Sequence, residues 1–166
     1  KYGILFALEV PKNQGNTHFA DMRKAYKNLP NNLKNKINGK FLIHDSAHNS
    51  AGMLRKGFKE FSDLRKTPGA RHPIVLTHPE NKTKRLFLGR RPYAYVLGME
   101  IQDSENLLDE IWSHATQSEF TWTQKWEKGD LLIWKNLYVL HKRDAFDPQS
   151  RRIMHRTQIK GDEVLH

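Results

Sequence analysis

Short β-prone segments separated by turn residues fill most of this chain, and they limit the folds open to it. Residues 2–10 form one such segment, which Pro, Gly and Asn residues follow. Further short segments occur at residues 74–76, 85–88, 95–97, 120–122, 131–134, 138–141 and 152–159. Because the regular strand–helix alternation of a parallel sheet is missing, the pattern favours a mainly β sandwich or barrel with helical insertions.

Three helices are predicted as insertions in this β framework. Apolar residues at helical spacing occupy residues 17–29, with Thr17 placed to serve as the N-cap. A second helix is predicted over residues 51–64. A third begins at Asp103 or Ser104 and has one apolar face, formed by Leu107, Leu108, Ile111, Trp112 and Ala115.

The composition excludes several kinds of functional site. The chain has no Cys, which rules out disulfides, thiolate zinc sites, iron–sulfur clusters and a cysteine nucleophile. A metal ion must therefore be bound by His, Asp or Glu. No apolar run approaches the roughly 18 residues of a membrane span, so we expect a soluble, cytoplasmic protein with no membrane partner.

The net charge of +10 fits a nucleic-acid binder, a protein of acidic membrane surfaces, or an enzyme that acts on small anions. The basic residues are scattered, and this does not favour nucleic acid as the partner. A non-catalytic alternative remains, in which a basic β-barrel binds polyanions or nucleic acid and stacks bases on Trp122, Trp126 and Trp134. These Trp residues alternate with polar positions, which favours core positions for them instead.

Nine His residues prompt a search for a metal site. The pattern His-x-Asp/Glu with a distal His is typical of the facial triad that binds Fe(II). His78-Pro79-Glu80 is the one such pattern in the sequence, and His141 is its candidate distal partner. This segment also has the composition of a turn between two strands, and the turn is the interpretation that we favour.

The C-terminal part carries a more specific pattern, in which Trp126, Gly129-Asp130, Trp134, Asn136, His141 and Arg152 follow one another. Earlier in the chain stand Gly15-Asn16-Thr17, His72-Pro73 and Thr77-His78-Pro79-Glu80. In order and spacing these residues resemble the taurine/2-oxoglutarate dioxygenase family, the Fe(II)- and 2-oxoglutarate-dependent oxygenases that include taurine, alkylsulfate and phenoxyacetate dioxygenases. The resemblance covers nearly the whole chain and implies a double-stranded β-helix, or jelly roll, whose first strands are missing from this chain.

The resemblance also implies roles for four residues. His141 would be the distal imidazole ligand of Fe(II). Arg152, eleven residues further on, would bind the distal carboxylate of the cosubstrate 2-oxoglutarate. Thr17 would form a hydrogen bond with 2-oxoglutarate or serve as a helix N-cap, and both roles hold if its hydroxyl is shared. Arg156 lies four residues further along the same predicted strand, hence on the same face as Arg152, and would contact the anionic group of the substrate.

The activity implied is that of a dioxygenase, an oxidoreductase that hydroxylates a small anion with O2 and releases succinate and CO2. The substrate would be an organosulfonate such as taurine, an alkylsulfate, or an aryloxy or alkyl carboxylate. Homo-oligomerisation is left open.

The first two iron ligands of the family form a His-x-Asp motif, which would lie upstream of Lys1. We therefore expect residues 1–166 to be a single oxygenase domain that lacks its N-terminal part and is inactive alone. A homologue that has lost its metal site is the alternative. The presence of Thr17, His141, Arg152 and Arg156 favours the first reading.

Overall fold

The computed structural model describes residues 2–49 and 51–161; Lys1, Ser50 and residues 162–166 of the predicted domain lie outside the described residues. The strands are β1 (Tyr2–Glu9), β2 (Thr17–Asp21), β3 (Phe41–Asp45), β4 (Gly69–Pro73), β5 (Val75–Thr77), β6 (Lys84–Leu86), β7 (Tyr95–Val96), β8 (Thr121–Gln124), β9 (Leu131–Lys135), β10 (Val139–Arg143) and β11 (Ile153–Ile159). The helices are α1 (Met22–Asn28), α2 (Asn31–Ile37) and α3 (Ile101–Ala115). The prediction of a mainly β chain with helical insertions is confirmed.

The described chain divides into two compact units, of which the first comprises residues 2–22 and 116–161. This unit holds two three-stranded antiparallel sheets, with the strand orders β11-β1-β9 and β10-β2-β8. Aromatic side chains of the two sheets meet: the ring centroids of Phe19 on β2 and Trp134 on β9 lie 5.3 Å apart. Thr17, His141, Arg152 and Arg156 all belong to this unit.

The second unit comprises residues 23–49 and 51–115. It holds the antiparallel sheet β4-β3-β7, the hairpin β5-β6 and helix α3. The largest of its fully buried side chains are Leu29, Ile37, Leu42, Ile43, Ile74, Leu76, Leu86, Leu88, Val96, Leu108 and Ile111. Burial of these apolar side chains on several short elements gives the unit a core of its own.

The third predicted helix is confirmed as α3, with a small change at its start. It begins at Ile101, before the predicted caps Asp103 and Ser104. Ser104 is instead fully buried, and its hydroxyl oxygen accepts a hydrogen bond of 2.9 Å from the backbone N–H of Val96. The side chain therefore fastens α3 to β7 and does not cap the helix.

The helix predicted over residues 17–29 is wrong in its first part. Thr17 begins the strand β2, and α1 begins only at Met22. Phe19 and Met22 are both buried, as the helical spacing required. A strand followed directly by a helix buries the same two positions, so the spacing of apolar residues alone did not separate the two cases.

The helix predicted over residues 51–64 is also wrong. This segment has an isolated bridge between His48 and Leu54 and a short 3-10 turn at Leu64–Lys66, with irregular backbone between them. Gly52 and Gly57 have φ values of 79° and 92°, which no helix contains. The backbone just before this segment is held by Asp45, whose carboxylate accepts hydrogen bonds from the backbone N–H groups of Ala47 and His48.

The seven short segments predicted as strands after residue 72 correspond to β5 to β11, each within a few residues. The structure adds α2, β3 and β4, which the pattern did not predict. None of the helices in the described ranges has the length and apolar character that crossing a membrane requires.

Candidate functional site

His141 lies on β10, directly opposite Phe19 of β2. Its ring stacks on Phe19, with centroids 5.9 Å apart and an angle of 28° between the ring planes. The edge of the ring meets Trp134, at a centroid distance of 5.4 Å. These two aromatic side chains cover part of the imidazole and fix its orientation, while the rest of the residue is exposed to solvent.

The surroundings of His141 favour its neutral form. Burial of the ring, and then the positive charge of Arg156, lower the pKa of His141 below its ordinary value. A neutral imidazole has a free lone pair, which is the form that binds a metal ion. The site therefore suits a metal ligand, and it also suits hydrogen bonding to a small molecule.

Arg156 lies on β11, opposite Leu5 of β1, and Trp134 lies opposite Gly3 of the same strand. Because alternate residues of a strand point to the same side, Arg156 and Trp134 share one face of the sheet. Arg156 is exposed, and its charge reaches His141. The imidazole and the indole thus meet on this side of the first unit, and the charge of Arg156 acts on the imidazole.

Thr17 is buried, at 4% exposure, and its hydroxyl oxygen accepts a hydrogen bond of 2.9 Å from the indole N–H of Trp126. Because an indole N–H can only donate, the hydroxyl hydrogen of Thr17 remains available for a second acceptor. The alternative role of Thr17 as a helix N-cap is wrong, since the residue begins a strand.

Arg152 lies directly ahead of β11, so it does not share a strand with Arg156 as predicted. Its Nε is buried and has no hydrogen-bond partner in the described part of the chain. Its guanidinium carbon lies 6.0 Å from the ring centroid of Phe146, and the guanidinium carbon of Arg143 lies 4.7 Å from the same ring. Burial and then the charge of Arg143 lower the pKa of Arg152 below its ordinary value.

This environment of Arg152 is one that an anion would stabilise. A buried donor without an acceptor, next to a second cation, is unfavourable until a negatively charged acceptor arrives. A carboxylate matches the planar guanidinium with two parallel hydrogen bonds. Thr17 lies directly opposite Arg143 in the pairing of β2 with β10, so the side chains of Thr17 and Arg143 are on the same side of the sheet.

Arg151 differs from its neighbour Arg152. It is exposed, and its Nε lies 3.1 Å from a carboxylate oxygen of Glu9. Its charge therefore has a partner within the chain, whereas the Nε of Arg152 has none among the described residues. The two adjacent arginines provide a matched pair for experiments.

Gly15 is a contact of Arg152 that sequence reasoning missed. Its φ is +62°, and a Cβ built there would lie 3.1 Å from Nε of Arg152 and 3.5 Å from the ring of Phe146. Only glycine adopts this backbone readily and leaves room for the guanidinium. The Gly15-x-Thr17 spacing signalled the segment, but nothing in the sequence signalled Phe146.

A complete metal site is not present in the described residues, in which no group of three His, Asp or Glu side chains could hold an ion. His141 contributes one imidazole.

The prediction that His78-Pro79-Glu80 forms a turn is confirmed: the N–H of His78 donates to the carbonyl of Thr83 at 2.9 Å, and the residues between them lie between β5 and β6.

The three Trp residues of the polyanion-binding alternative occupy different environments. Trp126 and Trp134 are buried, at 6% and 8% exposure, and neither can stack on a base. Trp122 is 52% exposed, so its predicted core position is wrong. The aromatic platform that this alternative needs is therefore reduced to one exposed ring, and the alternative is not favoured.

Comparison with known proteins gives a consistent result. A family model described as "Taurine catabolism dioxygenase TauD, TfdA family" matches residues 1–158. The chain is 35% identical over 167 residues to an alpha-ketoglutarate-dependent 2,4-dichlorophenoxyacetate dioxygenase of Cupriavidus pinatubonensis, and the match covers 99% of this chain and 57% of that protein. It is 33% identical over 166 residues to an (S)-phenoxypropionate/alpha-ketoglutarate-dioxygenase of Sphingobium herbicidovorans, and this match covers 96% of this chain and 58% of that protein.

A solved structure is similar as well. The crystal structure of AAD-2 in complex with Mn(II) and N-oxalylglycine matches with a TM-score of 0.81 and 31% identity, over 98% of this chain and 64% of that one. The chain spans little more than half the length of the curated relatives described above.

Proposed function

This chain belongs to the taurine catabolism dioxygenase TauD, TfdA family, and on that premise we propose that its protein is an Fe(II)- and 2-oxoglutarate-dependent dioxygenase. The reaction hydroxylates a small anionic substrate and releases succinate and CO2. The observation that carries the proposal is the buried, unpartnered Nε of Arg152 beside the charge of Arg143. This cationic site suits a carboxylate, and none of the residues that the structure describes supplies one to Nε of Arg152.

Arg152 and Thr17 bind 2-oxoglutarate in this proposal. The guanidinium of Arg152 holds the distal carboxylate in two hydrogen bonds. The hydroxyl of Thr17 donates to the cosubstrate while its oxygen is held by Trp126. Because both groups are fixed before the ligand arrives, little conformational entropy is lost when it binds.

His141 is proposed as one iron ligand, held in its neutral form between aromatic side chains. The other two ligands would come from a His-x-Asp segment upstream of Lys1. The described residues do not complete this ligand set. Bound iron would supply the activation of O2.

The substrate is proposed to be an anion with its acidic group on Arg156. This arginine is exposed on the sheet face that carries Trp134, and its charge lowers the pKa of His141, which supports an anion site on the side of the metal ligand. The names of the relatives favour aryloxy carboxylates, and alkylsulfates and organosulfonates such as taurine share the same acidic chemistry.

The two sheets of the first unit are proposed to form part of a double-stranded β-helix, within a single oxygenase domain over residues 1–166. The antiparallel pairing and the meeting of Phe19 with Trp134 support this proposal. Further strands would be supplied from the part of the protein that precedes Lys1.

The test is succinate release by the complete protein with Fe(II), 2-oxoglutarate and a panel of phenoxy acids, alkyl sulfates and sulfonates. Arg152→Ala should weaken 2-oxoglutarate binding by about 10- to 100-fold, the value of hydrogen bonds to a charged group. Arg151→Ala removes only an exposed ion pair and should stay within about threefold. Absence of turnover with every anion, together with salt-sensitive DNA binding, would overturn the proposal in favour of a polyanion-binding module.

A further inference from the structure

A cluster of three polar side chains lies on the side of β2 that faces away from Thr17 and Phe19. His18 is its centre: Nε2 lies 2.7 Å from a carboxylate oxygen of Asp144, and Nδ1 lies 2.8 Å from the hydroxyl of Thr123. Because a carboxylate only accepts, Nε2 donates to Asp144, and in the neutral ring Nδ1 accepts from Thr123. We call His18, Thr123 and Asp144 the clasp.

The clasp connects all three strands of its sheet. His18 is on the central strand β2, Thr123 is on β8, and Asp144 directly follows β10. Successive residues of a strand point to opposite sides, so His18 cannot reach the side on which Thr17 and His141 lie. Any influence of the clasp on that side must pass through the backbone.

The backbone beyond Asp144 leads directly to the surroundings of Arg152. The segment 144–147 is joined to the segment 14–18 by two further hydrogen bonds: Asp144 N–H donates to the carbonyl of Asn16, and Asp147 N–H donates to Oε1 of Gln14, both at 2.8 Å. Together with the bond between His18 and Asp144, these contacts set the two segments side by side.

Each of these two segments supplies one wall around Arg152. Gly15 lies between the joined residues of the first segment, and the guanidinium passes over its backbone. Phe146 lies between the joined residues of the second segment, and its ring lies near the guanidinium groups of Arg152 and Arg143. If the segments separate, Arg152 loses the surface that orients it.

We propose that His18 is a positioning residue for 2-oxoglutarate binding, acting through Asp144 on the walls around Arg152. The proposal rests on the proposed function of Arg152. His18 touches neither cosubstrate nor substrate; it holds segment 144–147 against segment 14–18. The side chains of His18 and Asp144 are 25% and 41% exposed, so the pair should contribute little to global stability. Its effect is instead on the geometry of one arginine.

The first experiment measures the dissociation constant of 2-oxoglutarate by calorimetry on the complete protein with Mn(II), and the thermal midpoint of each variant. His18→Ala and Asp144→Ala should each weaken binding about five- to tenfold, and the double variant should be no worse than either single one, because both remove the same contact. The thermal midpoint should fall by less than about 4 °C.

Two further variants complete this experiment. His18→Gln retains a donor for Asp144 and should recover part of the affinity. Lys142→Ala changes an exposed residue paired with His18 across the sheet and should leave the affinity unchanged. Equal affinity of the wild-type protein and His18→Ala, or additive losses in the double variant, would overturn the proposal.

The second experiment does not depend on the ligand. The Nε–H signal of Arg152 is followed by NMR in the complete protein without ligand, where burial should slow its exchange with solvent. His18→Ala should speed this exchange by about tenfold or more, as expected for a group that leaves a buried site. Unchanged exchange refutes the clasp, whereas failure of the wild-type protein to bind 2-oxoglutarate, with altered exchange, refutes only the proposed function.

Discussion

At the scale of single residues, Gly15 combines two requirements in one position. Its left-handed backbone disfavours any side chain by about 1 kcal/mol, and a Cβ built on it would lie 3.1 Å from Nε of Arg152. Arg152 in turn keeps its Nε away from every acceptor in the described chain. The site is therefore formed as much by the absence of a Cβ as by the charged group itself.

Gly15→Ala should weaken 2-oxoglutarate binding about tenfold or more, because the new Cβ would lie 3.1 Å from Nε of Arg152 and displace the guanidinium. The matched control is Gly39→Ala, at φ +69° with nothing within 4 Å of the added Cβ. Both variants should lose about 1 kcal/mol of stability from the backbone. Calorimetric titration and urea unfolding of both variants check this; equal affinities would contradict the steric account.

At the scale of elements, β1 owes its close contact with β9 to Gly3. The indole of Trp134 lies across the backbone of Gly3, where a Cβ would clash with the six-membered part of the indole. Trp134 also contacts Phe19 and His141. One missing side chain on β1 thus sets the position of an aromatic group that orients the candidate metal ligand.

Gly3→Ala should destabilise the first unit by about 1–3 kcal/mol through overpacking. Trp134→Phe removes the indole atoms that would clash, so the double variant Gly3→Ala/Trp134→Phe should be more stable than the sum of the two single losses implies. Urea unfolding of the four proteins forms a double-mutant cycle. Strict additivity would show that the contact has no role in packing β1 against β9.

The pairing of β3 with β4 makes the second unit sensitive to acid. His44 on β3 lies beside His72 on β4, with ring centroids 4.9 Å apart, and its Nε2 lies 3.2 Å from the carbonyl of Phe87. Burial, and then the charge of His72, lower the pKa of His44 to about 4. In the unfolded chain, by contrast, an imidazole titrates near about 6.5.

The sign of this effect follows from proton linkage. Between about pH 6.5 and 4 the unfolded state binds a proton at His44 that the folded state does not bind. The contribution to the free energy of unfolding is therefore fully present above pH 6.5, and it falls by at most about 3 kcal/mol as the pH drops through this window. Urea unfolding at pH 7 and pH 4.5 measures the loss. His44→Gln should reduce the dependence of the free energy of unfolding on pH, and the control His155→Gln, at an exposed position, should not. An equal dependence on pH in the wild-type protein and both variants would contradict this cause.

The elements differ in how well the sequence predicted them. The strands β8 to β11 and helix α3 were predicted because their apolar periodicity is sustained and turn residues bound them. The prediction of one helix over residues 17–29 was wrong because a five-residue strand followed by a seven-residue helix gives the same apolar spacing as one helix. The prediction of a helix over residues 51–64 was wrong because the path of a loop depends on side-chain contacts such as those of Asp45, which apolar periodicity does not encode.

At the scale of the whole molecule, the described chain supplies one imidazole at the candidate metal position and no group of three ligands. We therefore expect the 166-residue chain alone to bind Fe(II) weakly, with His141→Ala changing that affinity by less than about tenfold, because a single imidazole is a poor site without a carboxylate and a second His. Equilibrium dialysis under anaerobic conditions measures both proteins. Tight binding by the wild-type chain, lost in His141→Ala, would contradict an incomplete ligand set.

By itself, the sequence determined the mainly β architecture, the later strands, one helix and the family, because these depend on local periodicity and on residues at short, fixed spacings. It also indicated Thr17, His141, Arg152 and Arg156 as candidates. Only the tertiary structure decided that Arg152 lies over Gly15 with its Nε unpartnered, that Thr17 begins a strand and is held by Trp126, and that His18 clasps Asp144. Burial and unmet hydrogen bonding arise where distant segments pack together, and no local pattern contains them.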